Sequence, residues 1–291
     1  MNASPKPAAA PSLEGEYNIR ARHPDHQTVR DGWATASARA KANLEWREDM
    51  RYGAEPRQTL DLFPARAAAS PLLIFIHGGY WRSNEKTNYG FIAEPVIAHG
   101  GAQANINYGL APDYSVGEII AHARDAVIWL YCNEAAGNFD RRKIYVAGHS
   151  AGGHSAGGHL AAELAATDWQ AEDLPANVIQ GITAISGLFD LAPLIETSIN
   201  NELKLDRESA RQFSPLFRLP RSGTALTVAV GGGETDEFLR QSRLYAEQCR
   251  VAGQDCELLS CADLNHYTVL SQLVDANAPL SQALLRQMGL A

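Results

Sequence analysis

Ser150 lies in Gly148-His149-Ser150-Ala151-Gly152, between an apolar run at residues 144–147 and a Leu- and Ala-rich stretch at residues 160–166. Strand, G-x-S-x-G and helix in that order lift a serine hydroxyl off the end of a sheet. Small flanking residues let neighbouring backbone crowd the turn. The following helix directs its N-terminal dipole and free N–H groups at the reacting atoms. The chemistry open to such a serine is nucleophilic attack on a carbonyl, which also needs oxyanion donors, a base and an acid to orient the base.

Residues of each kind occur in the expected order. His77-Gly78-Gly79-Tyr80-Trp81 follows an apolar run at residues 71–76. Two glycines let backbone approach a substrate, so the N–H groups of Gly78, Gly79 and Tyr80 are candidates for an oxyanion hole, completed by that of Ala151 after the nucleophile. His77 is expected to fix this loop by hydrogen bonding rather than to act as a base. Glu234 and Asp236 follow the glycines that end a later apolar run. Glu234 is preferred as the acid, because Asp236 lies nearer a helix start, where capping is its natural role. His266 is the only histidine C-terminal to the elbow region and is the candidate base. Tyr80, Trp81 and Tyr108 could wall a pocket for a flat ring, with core packing the alternative for Tyr108.

Five residues, Ser-Ala-Gly-Gly-His, repeat across 150–159, so Ser155 sits in a second copy of the motif. The nucleophile must stand where the central strand ends, and residues 144–147 run directly into Gly148-His149-Ser150. For Ser155, a stretch with two glycines and no β-branched residue would have to form the end of that strand. Ser150 is therefore preferred, with Ser155 the alternative. The expected cost is a helix extended by five residues, with Ser155 and His159 at positions that Leu160 and Leu164 would otherwise fill. His149, His154 and His159 recur at a spacing of five. On a helix that spacing turns each by about 500° from the last, so no metal site is expected there.

The elements that must hold these residues alternate. Residues 44–50 and 58–63 suggest an antiparallel pair, and apolar runs at 71–76, 102–107, 143–147, 178–185, 225–230 and 256–261 suggest further strands. Helices are expected from about residue 25, at 85–98, 116–133 and 237–251, after the elbow, and in a closing region at 267–288. This is an α/β fold with a mostly parallel central sheet covered by helices on both faces. Residues 1–12 hold three prolines and are expected to form a disordered tail, followed by one domain over 13–291. Within it, 13–43 would form an N-terminal covering segment, with Trp33 as a packing anchor, and 188–221 could form a cap.

A chain of 291 residues that is 45% hydrophobic can bury a large core. Its formal charge of −8 gives no electrostatic footprint for nucleic acid. No apolar run approaches the roughly 20 residues that cross a bilayer, and no secretory signal is evident. The four cysteines lack zinc-type spacing and are expected to be reduced thiols in a cytoplasmic protein. The expected partners are a small-molecule substrate and at most a second copy of the chain, with no nucleic acid and no membrane.

The chain resembles the kynurenine formamidase (arylformamidase) branch of the α/β-hydrolases, near the hormone-sensitive-lipase-like esterases. The resemblance rests on His77-Gly-Gly-Tyr-Trp81, on Gly-His-Ser-Ala-Gly, on Glu237-Phe238 with Arg240-Gln241-Ser242, and on His266. Ser186-Gly-Leu-Phe-Asp190, Ser214-Pro215, Tyr17-Asn18 and Tyr52-Gly53 extend it over nearly the whole chain. The family's acid stands three residues before that Glu-Phe, which falls on Glu234. The duplicated elbow is a departure from the pattern. The resemblance implies hydrolysis of an N-formyl arylamine, as in tryptophan catabolism, by a serine without metal or cofactor. Relatives in that branch also cleave small esters. The alternatives are a broad small-ester carboxylesterase and, from another class, a binding protein on a hydrolase fold whose elbow the repeat has impaired.

Overall fold

The structure is a computed structural model that describes residues 12–150, 156–220 and 223–291. From the N-terminus, α1 (Leu13–Tyr17), α2 (Ile19–Arg22) and α3 (His26–Asn43) lead into β1 (Arg47–Arg51) and β2 (Thr59–Phe63). Then follow β3 (Ser70–Ile76), α4 (Ala93–Ala98), β4 (Ala102–Ile106), α5 (Val116–Cys132) and β5 (Phe139–His149). The second half holds α6 (Gly157–Ala166), β6 (Ile179–Ile185), α7 (Asn200–Leu203), α8 (Arg207–Gln212), β7 (Ala225–Gly231), α9 (Asp236–Val251), β8 (Cys256–Cys261) and α10 (Pro279–Gln287).

The strands form one sheet in the order β1-β2-β4-β3-β5-β6-β7-β8. The pairs made by β2 are antiparallel, and all others are parallel. Every residue of β3 and β4 is buried, as expected of apolar runs that take helices on both faces. In contrast, β1 reads Arg-Glu-Asp-Met-Arg and is largely exposed, and charge on an edge strand discourages pairing with another chain. The central pair is β3 with β5, in a register that sets Ile76 opposite Gly148. That register brings the ends of both strands level, where each continues into a loop of the site.

Two expected helices take other forms. Residues 85–98 are not one helix: tight 3-10 turns over Lys86–Ile92 precede α4. Lys86 is drawn inward to Asp61 at 2.6 Å and Asp49 at 2.7 Å, and a Cβ on Gly90 would stand 3.4 Å from the Ser37 carbonyl oxygen of α3. The closing region is likewise divided into turns at Thr268–Leu273 and α10, whose first residue is Pro279. Proline suits that first helical position and cannot continue a preceding helix.

The N-terminal helices lie against the site end of the sheet. Trp33 of α3 packs on the rings of Tyr89, Phe91, His149 and Tyr267. Tyr17 accepts from Tyr80 Oη at its carbonyl, at 2.6 Å. Between β6 and β7 the chain forms α7, α8 and short turns. It is tied down where the Phe189 and Asp190 N–H groups donate to Gln241 Oε1 at 2.8 and 2.9 Å.

Candidate active site

The candidate residues meet at the C-terminal edge of the parallel strands. Open α/β sheets carry their ligand crevices there because the loops leaving neighbouring strands converge. Ser150 follows β5, Ser186 follows β6, Glu234 follows β7 and His266 follows β8.

Ser150 has a φ of 69°, in the left-handed region that a non-glycine residue occupies only under constraint. Its N–H is bonded to the Ile185 carbonyl of β6. Close packing explains the glycines around it. A Cβ on Gly148 would stand 1.9 Å from the Gly157 carbonyl oxygen, and one on Gly157 would stand 2.0 Å from that of Ile76. Helix α6 therefore begins in backbone contact with the ends of β3 and β5, a fit that side chains would prevent.

The Ser150 hydroxyl is hydrogen-bonded to His266 Nε2. On the other side of the ring, His266 Nδ1–H donates to Glu234 Oε2 at 2.6 Å. That bond leaves Nε2 as the lone-pair nitrogen facing the serine in the neutral ring. The second Glu234 oxygen accepts from Ser186 Oγ at 2.5 Å and from the Gly231 N–H at 2.8 Å. All of Ser150, His266 and Glu234 are buried. Asp236 is the exposed first residue of α9 and stands in the first turn. The structure thus brings Glu234 to the histidine, and Asp236 takes the helix-start position.

The loop after β3 turns sharply. Gly79 has a φ of 146°, and Tyr80 and Trp81 have φ values of 47° and 56°. Three successive residues at positive φ are sustained only where surrounding structure dictates them. His77 donates from Nδ1 to the Gly78 carbonyl at 2.7 Å, and Tyr108 stacks on it with centroids 4.4 Å apart. Burial holds the His77 imidazole down at about 3, so it stays neutral and fastens the loop. Tyr108 is fully buried and gives its hydroxyl to the His77 carbonyl at 2.8 Å. It supports the loop from within. Tyr80 and Trp81 are also buried, the latter edge-on to His159 at 4.8 Å.

Ala151, His154 and Ser155 lie outside the described residues. The expected five-residue extension of the helix falls on 151–155 and so also lies outside the described residues; α6 starts at Gly157, and Leu160 and Leu164 are fully buried in it. His159 is buried too and donates Nε2–H to the Phe213 carbonyl at 2.7 Å. Among the described residues no cluster of three or more His, Cys, Asp or Glu could hold a metal. No described helix is long and apolar enough to cross a membrane.

Three contributors were not singled out as site residues. His149 donates Nε2–H to the His266 carbonyl at 2.8 Å, and burial holds its own imidazole well below the usual range. Ser186 supports Glu234, and Phe238 lies edge-on to the His266 ring at 4.9 Å. Ser186-Gly187 at the end of a strand, and Phe238 just after the acid, were the available signals.

The BD-FAE family model matches residues 60–209. A kynurenine formamidase of Danio rerio is 30% identical over 264 residues, covering 88% of this chain and 86% of that one. The chain belongs to the kynurenine formamidase family. Its fold is that of the α/β-hydrolases, and like its relatives it is a hydrolase. A solved structure from Silicibacter sp. TM1040, provisionally described as a thioesterase, superimposes with a TM-score of 0.80 at 30% identity. It covers 94% of this chain and 98% of that one. An esterase of Pyrobaculum calidifontis superimposes with a TM-score of 0.70 at 20% identity, over 94% of this chain and 97% of its own. That likeness is one of fold. A fold shared by formamidases and esterases leaves the substrate to the residues of each site.

Proposed function

We propose that this member of the kynurenine formamidase family hydrolyses a small aryl formamide, with N-formylkynurenine the best candidate, to formate and the free arylamine. The observation that carries the proposal is the unbroken hydrogen-bond chain from Ser150 through His266 to Glu234. In this mechanism Ser150 Oγ attacks the formyl carbon while His266 Nε2 takes the hydroxyl proton. Glu234 holds the ring in the required tautomer and stabilises the imidazolium. The N–H groups of the loop over Gly78, Gly79 and Tyr80 receive the oxyanion, each such donor being worth about 2.7–4 kcal/mol of barrier. His266 then returns the proton to the departing aryl nitrogen. Water attacks the formyl-serine through the same base, releasing formate and restoring Ser150. Each step is acyl transfer, and the residues named suffice for it without a cofactor.

Small aryl esters present the same carbonyl to the same serine. That second reading is favoured by the likeness at 30% identity to the Silicibacter protein described as a thioesterase. The deciding experiment compares kcat/KM on N-formyl-L-kynurenine with kcat/KM on short p-nitrophenyl esters. Preference for the formamide is expected. Turnover confined to the esters would make the chain an esterase, and absence of turnover on both would contradict the hydrolase mechanism.

A further inference from the structure

The oxyanion hole of such a site is completed by the N–H of the residue after the nucleophile. In this chain the described backbone next to Ser150 in the elbow belongs to the second copy of the repeat. Gly158 donates its N–H to the Ser150 carbonyl at 3.0 Å, although the two stand eight positions apart. In an unbroken turn that bond links residues i and i+3. Read as that bond, it sets Ala156 and Gly157 in the two places between them. The glycine contacts give the same correspondence independently. The Gly157 backbone meets Gly148, His149 and Ile76, and Gly158 packs against Gly187, where a Cβ would come within 2.9 Å of its Cα. Ala156 is buried, has a non-helical φ of −129° and caps α6, with its carbonyl accepting from the Leu160 N–H at 2.9 Å.

We propose that Ala156, rather than Ala151, supplies the second oxyanion N–H, the elbow being assembled from the strand and serine of the first repeat and the helix of the second. This rests on the hydrolase function proposed above. It explains how a duplicated motif is compatible with one working serine. Removing residues 151–155 joins Ser150 to Ala156 and leaves in place every residue that makes the described elbow. One copy of the repeat is then dispensable to the site.

The test uses the full chain, its Ala156→Pro and Ala151→Pro variants, and a deletion of residues 151–155. Each is assayed for thermal unfolding, for kcat and KM, for labelling by a fluorophosphonate, and for affinity toward an aryl trifluoromethyl ketone that mimics the oxyanion. Proline removes the N–H in question. Ala156→Pro is expected to lower kcat by about 10²–10³ with KM little changed, and to weaken the ketone in parallel. Its loss should exceed that of Ala151→Pro by about tenfold or more. The deletion is expected to label and to turn over within about threefold of the full chain. A larger loss in Ala151→Pro than in Ala156→Pro would overturn the proposal. So would a cooperatively folding deletion that does not label while the full chain does. A full chain that neither labels nor turns over would contradict the hydrolase function and this inference with it.

Discussion

His149 donates its Nε2–H to the carbonyl of His266 at 2.8 Å, so the residue before the candidate nucleophile holds the backbone of the candidate base. The strand that presents Ser150 thus also sets the loop that presents His266. Burial keeps His149 neutral, which fixes it as a structural donor rather than a second base. Replacing it with leucine leaves the His266 carbonyl short of a donor, at a cost of about 1–3 kcal/mol. His149→Leu should lower kcat by about tenfold with KM nearly unchanged, and His149→Gln, which keeps an N–H, should recover part of the loss. An unaltered kcat in the leucine variant would show that this bond does not position the base.

Glu234 and Asp236 are separated by kinetics in the same way that geometry separates them. Glu234→Gln keeps the shape but favours the wrong imidazole tautomer, and a loss of about 10²–10⁴ in kcat is expected. Asp236→Asn, at an exposed helix start, should stay within about twofold. The reverse ranking in kcat would reassign the acid.

The oxyanion loop depends on backbone that few residues adopt. Gly79 has a φ of 146°, and proline is locked near −65°. Gly79→Pro should therefore lower kcat by about 10²-fold or more, the equivalent of one lost donor. Steady-state kinetics on the folded variant check this, and an undiminished kcat would remove the loop from the mechanism.

A pH dependence of stability follows from α6. Burial raises the Glu163 carboxyl from the ordinary 4.5 to about 7, outweighing the pull of the adjacent Arg218. The folded chain then holds this proton more tightly than the unfolded chain does. That stabilisation is present below the unfolded value and is lost as the pH rises from about 4.5 to about 7. It amounts to about 3 kcal/mol at most. Tm of the parent should fall over that interval more steeply than Tm of Glu163→Gln. Parallel curves would contradict the assignment.

The sheet was largely legible because its signals are local. Apolar runs such as residues 71–76 read directly as strands buried on both faces, and the order of serine, acid and histidine followed from them. Less legible were features set by long-range packing. One helix is expected over 85–98, whereas Lys86 is pulled inward by Asp49 and Asp61 from another part of the chain. Nor does composition reveal that Tyr108 stacks on His77 and braces the oxyanion loop. The elbow was legible as a motif but not in its connection. The bond from Gly158 to Ser150 and the contact of Gly157 with Gly148 set the second copy's glycines at the start of the helix.

The most direct measurement is formate release from N-formyl-L-kynurenine by the parent, Ser150→Ala and Ser155→Ala. If Ser150 is the nucleophile, Ser150→Ala should lose about 10⁴-fold or more of kcat while binding substrate, since removal of this group leaves only oxyanion and binding contributions. Ser155→Ala should turn over like the parent. Full turnover by Ser150→Ala, with its loss in Ser155→Ala, would contradict the account.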